Sequence, residues 1–333
     1  MLLLERHRKV SAPLGQGGFT LIEMLIAMII LLGVAGIVMS GMVQMMFVQG
    51  SVANRSEMHS SVRSATELLE QEIGQAGRVS LPPPSAPATN VTMTTAVPLS
   101  NPPVPFTVTA SSTVGMFNGE YLVIDAGAPQ ETVQISFVSG AGFTATFTNS
   151  HASGVPITVQ GAFRTGIVPP DMADGSTGDT LKLYGDINGD GNMVYIEYTC
   201  VAGTTAVPGY LYRNVMPVPA EGAGFVKPGV NPSMVVLNDI LPNPPDLSGN
   251  PVNCFTYQTN TAGTKTYVLN VAVTLTVQTP MQDPKTHIFQ TETKALLNVS
   301  PRNVFQAWEL AGANATNRVQ PIPSSVMLLL PLP

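Results

Sequence analysis

The pattern of apolar residues divides the chain into a long N-terminal helix and a body of short strands. Residues 19–48 contain one ionisable side chain, Glu23, and as a helix they would be about 45 Å long. This exceeds the roughly 30 Å of a bilayer's hydrocarbon core, so the segment can span a membrane. The pattern therefore predicts a helix over residues 19–80, of which 19–48 are transmembrane.

Beyond Val48 the pattern predicts an amphipathic continuation of this helix. Apolar residues recur at spacings of three and four among charged ones, which is typical of a helix that packs on one face. The run of three prolines at 82–84 removes backbone donors and ends the helix. Residues 81–105 are rich in proline and are predicted to form an irregular linker. The apolar positions are Val52, Met58, Val62, Ala65, Leu68, Leu69 and Ile73.

Alternating apolar and polar positions, separated by Gly-containing turns, predict antiparallel strands in the rest of the chain. Segments within 106–163 are predicted to form a small inserted all-β module, a barrel or a sandwich. Segments within 164–300 are predicted to form the main β head, which closes with a hairpin of residues 266–278 and 287–299. Residues 301–333 are predicted to be an irregular tail. The predicted fold class is α+β: a long N-terminal helix followed by an antiparallel β head with an inserted module.

Composition and charge limit the classes of function that the sequence supports. The net charge is −6 and only 11% of residues are charged, so nothing indicates a nucleic-acid partner. The four histidines are dispersed, and the chain lacks HExxH, GxSxG, CxxC and P-loop motifs, so the sequence predicts no enzyme. The basic residues Arg6, Arg8 and Lys9 precede the apolar run. Because basic flanks stay cytoplasmic, we expect the N-terminus inside and the head outside.

The two cysteines lie in the part expected to be exported. Two cysteines in an oxidising compartment predict one disulfide, Cys200–Cys254. Two free, buried thiols are the alternative.

The small residues before the apolar run indicate a particular kind of processing. A secretory signal peptide is cleaved after its apolar region, whereas Gly17 and Gly18 precede it here. The order GFTLIE over residues 18–23, beside a basic leader, resembles the processing site of type IV prepilins and type II secretion pseudopilins. The resemblance implies that prepilin peptidase removes leader residues 1–18 and methylates the new amine on Phe19. It also implies that Glu23 meets the amine of a neighbouring subunit during assembly. The alternative is that Glu23 lies near the membrane interface and snorkels.

The head carries a second resemblance. The segments DTLKLYGDINGDG, NCFTY, VTLTVQT and SPRNV resemble the W-type minor pilins and the related J-type pseudopilins. This implies a minor, tip or priming subunit of a type IV pilus, whose partners are other major and minor pilins and the inner-membrane assembly platform. It also implies an inner-membrane precursor with a periplasmic head, later displayed on the pilus at the cell surface. Major pilins commonly carry Pro near position 40, where this chain has Ser40. A J-type type II secretion pseudopilin and a pilus-borne adhesin are the alternatives.

Residues 186–197 match the calcium-loop pattern D-x-[DN]-x-[DN]-G-x5-E at every specified place. This predicts Ca²⁺ bound by Asp186, Asn188, Asp190, the Asn192 carbonyl and Glu197. If this segment is a strand, the side chain of Glu197 points to the same face as that of Tyr195. Whether Glu197 reaches the ion is therefore left open. The alternative is a metal-free turn whose glycines adopt positive φ.

Overall fold

The computed structural model describes residues 18–84 and 90–331, and helix α1, Leu21–Gln75, is its longest element. Its 55 residues extend about 82 Å. Thr20 caps the N-terminus. After Ala76 the chain turns at Gly77, whose φ of +82° favours glycine. The predicted helix is thus confirmed, although it ends at Gln75, because the turn at Gly77 comes before the proline run. Residues 1–17 of the predicted leader lie outside the described residues, and its last residue, Gly18, is described.

The two halves of α1 have different surroundings. Every side chain from Leu21 to Val48 is exposed. In the second half, one face packs into the main core of the head against strand residues such as Leu183, Ile196 and Val271. Burying this stripe of aliphatic side chains fixes α1 to the head. The buried residues of the helix are Met58, Val62, Ala65, Leu69 and Ile73.

The head is a seven-stranded antiparallel sheet in which α1 covers one face of the strands. The order is β12-β13-β11-β10-β9-β8, and β14 also pairs with β13. The predicted hairpin is confirmed, because β13 and β14 pair directly. The strands are β8 (Thr180–Gly185), β9 (Val194–Val201), β10 (Gly209–Pro217), β11 (Val235–Leu241), β12 (Phe255–Ala262), β13 (Lys265–Gln278) and β14 (Thr291–Val299).

The inserted module is a six-stranded sheet in the order β1-β6-β3-β4-β5-β2, with its own apolar core. The Thr94 N–H donates to the Thr109 carbonyl, and the Ser111 N–H donates to the Thr92 carbonyl, both within 3.0 Å. These bonds join β1 to β2, the two strands at the ends of this order, so the sheet closes into a small barrel. The strands are β1 (Val91–Thr92), β2 (Pro105–Thr109), β3 (Tyr121–Ile124), β4 (Glu131–Ser139), β5 (Gly142–Thr146) and β6 (Pro156–Val159).

Two segments differ from the sequence prediction. The linker predicted over 81–105 is shorter, because Val91, Met93 and Val97 are buried in the barrel core. The tail predicted to be irregular over 301–333 contains helix α2 (Arg302–Gly312), strand β15 (Val319–Gln320) and helix α3 (Ser324–Met327). In α2 the apolar residues Val304 and Ala307 are buried, and β15 pairs in parallel with β7 (Ala162–Phe163). The tail is therefore part of the packed head.

Glu120, immediately before β3, is a buried acid without a basic partner among the described residues. Its side chain is fully buried; Oε2 accepts the Phe117 N–H at 3.4 Å, while Oε1 has no partner in the described structure. Burial raises the pKa of this carboxyl well above its usual range, and the Phe117 N–H offsets only part of this. Glu120 therefore holds its proton in the folded chain at pH values where an exposed Glu would have lost it.

We expect Glu120→Gln to stabilise the chain at neutral and alkaline pH. Because the folded state binds the extra proton, the wild-type free energy of unfolding falls as pH rises above the unfolded pKa of about 4.3. Gln keeps a carbonyl oxygen that can accept the Phe117 N–H and has no proton to lose, so this decline should disappear. Thermal melting of the wild-type and variant chains in detergent at pH 5 and pH 8 measures this pH dependence. Equal pH dependence in the two proteins would contradict the assignment.

Candidate functional site

The predicted processing site lies at the exposed N-terminal end of α1. Phe19 is 84% exposed, and the space around Gly18 is open within 4 Å. Both residues precede the helix, so the Gly18–Phe19 peptide bond lies outside regular secondary structure. An exposed, non-helical bond is the geometry that a peptidase requires.

Glu23 forms a capping box with Thr20. Its Oε2 accepts the Thr20 N–H at 3.0 Å and the Thr20 hydroxyl at 2.9 Å, while the Glu23 N–H donates to that hydroxyl oxygen at 3.3 Å. Two helix-terminal donors are thereby satisfied reciprocally. The carboxylate is held one turn into α1, beside the position where cleavage after Gly18 would create an amine. Thr20 is a site residue that the sequence analysis missed, although its T-x-x-E spacing is a recognised capping signal.

The surface around Glu23 is apolar. Within residues 18–84 and 90–331, α1 is the one helix long and apolar enough to cross a membrane, and none of its apolar window is buried in the head. Exposing this much aliphatic surface to water is unfavourable, so it requires lipid or the helices of other subunits.

The predicted disulfide is confirmed. Cys200 at the end of β9 is bonded to Cys254, directly before β12, and 54 positions separate them. The bond joins two strands that are not neighbours in the sheet.

We expect Cys200→Ser with Cys254→Ser to destabilise the head by about 2–4 kcal/mol, because a loop of this length gains conformational freedom when unfolded. Thermal melting of the full chain, with and without reductant, measures the loss. If the double variant melts at the wild-type temperature, the bond has no stabilising role.

The predicted calcium loop is held together by protein groups. Asp186 is buried; its Oδ2 accepts the Ser80 hydroxyl at 2.8 Å and lies 3.5 Å from Arg78 Nε, while its Oδ1 accepts the Gly191 N–H at 3.2 Å. The Asp190 carboxylate accepts the Asn192 N–H at 2.8 Å. The loop thus connects the end of α1 to the sheet.

Glu197 lies away from that loop. Its Oε2 accepts from Lys227 Nζ at 2.6 Å and from the Tyr195 hydroxyl at 2.9 Å, all three groups being buried. In the described part of the chain, no group of three acidic, His or Cys side chains could hold a metal ion. The prediction that Glu197 is a ligand is therefore wrong, because β9 directs its carboxylate to Lys227.

Calcium binding stays a prediction, and it now depends on Asp186, Asn188, Asp190 and the Asn192 carbonyl. A bound ion would have to displace the Arg78 guanidinium from Asp186. Calorimetry tests the prediction. Heat released or absorbed when calcium is added would support it, and identical melting temperatures in calcium and in chelator would contradict it.

A second ion pair connects α1 to the head. Glu72 is buried, and both its oxygens accept from Arg213 Nε, at 3.0 and 3.2 Å. The Tyr198 hydroxyl donates to Glu72 Oε2 at 2.5 Å. Burial and the Glu72 charge raise the pKa of Tyr198, so this phenol remains a donor. These contacts join the last turns of α1 to strands β9 and β10.

Comparison with known proteins finds one match, at the N-terminus. Residues 14–43 match the family described as the prokaryotic N-terminal methylation motif. No curated protein and no solved structure matches the chain. The match contains Gly18, Phe19 and Glu23, and coincides with the exposed end of α1. The chain therefore carries the substrate signature of prepilin peptidase at the start of a long apolar helix, and this motif supports a type IV pilin-like or pseudopilin-like protein.

Proposed function

We propose that the chain is a minor subunit of a type IV pilus, in a tip or priming complex. The observation that carries the proposal is the methylation motif at the start of a helix whose first half has only exposed side chains. Such a helix is suited to lie first in a bilayer and then among the helices of a filament. The proposal gives the chain no catalytic role.

Assembly begins with processing. Prepilin peptidase hydrolyses the Gly18–Phe19 bond and methylates the amine that results, which keeps its positive charge. In the filament, Glu23 of one subunit meets the Phe19 amine of a neighbour. Each charge offsets the cost of burying the other, which for one charge in hydrocarbon is about 2.5–3.5 kcal/mol on insertion scales.

The proposed partners follow from this pathway. The precursor lies in the bacterial inner membrane with its N-terminus cytoplasmic and its head periplasmic. The assembly platform then transfers it into a hetero-oligomeric filament with major and minor pilins, and the head reaches the cell surface. Ser40 supports a minor role, because α1 continues without a break where major pilins commonly have Pro.

The experiment is to delete the chain's gene and to count filaments, then to look for the tagged chain in sheared filaments. A minor priming subunit predicts few or no filaments in the deletion and trace amounts of chain in the sheared fraction. Normal filaments together with failed protein secretion would indicate a type II secretion pseudopilin instead.

The barrel favours a second candidate, a pilus-borne adhesin. It has its own core, and the chain leaves and re-enters the head at one place, where Arg78 and Ala162 form a β-bridge. The test replaces residues 90–160 by a short Gly-Ser linker and checks by thermal melting that the head still folds, because Phe117 packs in the core of the head. Lost attachment with intact filaments would support adhesion, whereas lost filaments would support a role of the barrel in assembly.

A further inference from the structure

The loop between β13 and β14, residues 279–290, lies beside α1 where its apolar run ends. Pro284 Cγ is 3.2 Å from the position that a Cβ on Gly50 would occupy. The Asn54 amide donates to the Met281 carbonyl, and the Gln290 amide donates to the Ser51 hydroxyl, both at 3.4 Å. The last residue of the apolar run is Val48, so the β13–β14 loop is within about two helical turns of it.

The β13–β14 loop is preformed around an inward-facing acid. The Asp283 carboxylate accepts the N–H groups of Lys285 and Thr286, both at 2.9 Å, and the Gln290 amide at 3.2 Å. The Ser51 hydroxyl and these N–H groups lower the pKa of Asp283 to about 2, so it is ionised at physiological pH. Its charge is satisfied by groups of the loop and by Ser51 of α1, and it does not face outward.

The outer side of the loop is apolar and basic. Met281 and Ile288 are each 66% exposed, although both lie close to the buried Asp283. Lys285 is exposed between them in the chain. Two exposed apolar side chains and a cation, held beside a membrane-spanning helix just past the end of its apolar run, suit the boundary between lipid headgroups and acyl chains.

We propose that the β13–β14 loop is a membrane-contact surface that rests on the bilayer into which α1 is inserted. Met281 and Ile288 enter the headgroup boundary, and Lys285 faces lipid phosphate. The loop is hydrogen-bonded to α1 at residues 51 and 54, so a bilayer around the apolar run meets the loop. The inference depends on the membrane span and not on the role in a filament.

The contact determines how deeply α1 is inserted into the bilayer. A hydrocarbon core of roughly 30 Å takes about 20 residues, which counted back from Val48 ends near Ile29 for a helix along the bilayer normal. Glu23 then lies about 9 Å beyond the core, on the side opposite the head. The carboxylate thus remains among headgroups while the subunit waits in the membrane. It enters an apolar surrounding only when the subunit joins other helices.

The test measures lipid contact at residue 288. The full chain carrying Ile288→Cys is labelled with an environment-sensitive fluorophore and reconstituted into vesicles of phosphatidylethanolamine and phosphatidylglycerol. Cys200 and Cys254 are joined in the disulfide, so the label is unique. The matched control is Val114→Cys, which is 61% exposed on the barrel next to Gly115, where the barrel packs on Pro82 beyond the end of α1.

We expect lipids that carry a nitroxide near the headgroup to quench the label at 288 at least threefold more than the label at 114. Adding Met281→Asp to the 288 variant should reduce that quenching toward the control value. Equal quenching at both positions would overturn the proposal. So would shielding of residue 288 only in assembled filaments, which would assign the loop to a neighbouring subunit. The vesicles hold no other pilus protein, so a negative result leaves the proposed function intact.

Discussion

Replacing Glu23 by Gln is expected to reduce incorporation of the chain into filaments by roughly 50-fold or more. The methylated amine of a neighbour would be buried without its counter-charge, at a cost of about 2.5–3.5 kcal/mol, and each 1.4 kcal/mol is tenfold. Insertion into the membrane and cleavage after Gly18 should be unchanged. Quantitative immunoblots of sheared filaments and of membranes measure both.

The capping box supplies the matched control. Gln also serves at the third helical position of a capping box, so Glu23→Gln removes the charge and keeps the cap. Thr20→Val has the opposite effect, because it removes the hydroxyl bonds and keeps the carboxylate. If Thr20→Val is as defective as Glu23→Gln, the carboxylate serves the helix end and not the neighbour's amine.

Replacing Lys227 by Met is expected to lower the melting temperature by about 6–20 °C. Glu197 would remain as an unpaired buried carboxylate, which costs about 3–5 kcal/mol, and 1 kcal/mol corresponds to roughly 2–4 °C for a domain of 150–250 residues. The Lys227 ammonium also donates to the Pro331 carbonyl at 2.9 Å, so the packed tail should loosen with it. Circular dichroism melting of the full chain in detergent measures the change.

The double variant distinguishes the charge from the packing. Adding Glu197→Gln to Lys227→Met removes the stranded charge and keeps an acceptor for the Tyr195 hydroxyl. Most of the lost stability should return. If the single variant melts like wild type, the buried pair does not stabilise the head.

The sequence predicted the parts of the fold that are encoded locally. The composition of residues 19–48, the three-and-four spacing beyond them and the alternation within β13 and β14 each determine one element. Strand β11 has no clear signal in the sequence, because Asn238 and Asp239 interrupt its alternation, and Asp239 has a positive φ. Helix α2 was missed because no side chain caps its N-terminus and it is stabilised by packing of Val304 and Ala307 on the head.

The candidate site also has a part that local sequence predicts and a part that it does not. Gly18, Phe19 and Glu23 are adjacent in sequence, so a local motif identifies them. The calcium pattern specifies spacing along the chain but not the direction in which each side chain points. It therefore included Glu197, whose side chain on β9 points to Lys227. Ser80, which donates to Asp186, and Lys227, which donates to Glu197, lie 106 and 30 positions away, where no spacing rule applies.

The most direct test of the central claim is the intact mass of the chain taken from sheared filaments, with sequencing of its first residues. The account predicts a mature chain that begins at Phe19, carries one methyl group on its amine and retains Glu23. A filament-borne chain that still has its first 18 residues, or an unmethylated start elsewhere, would contradict the account.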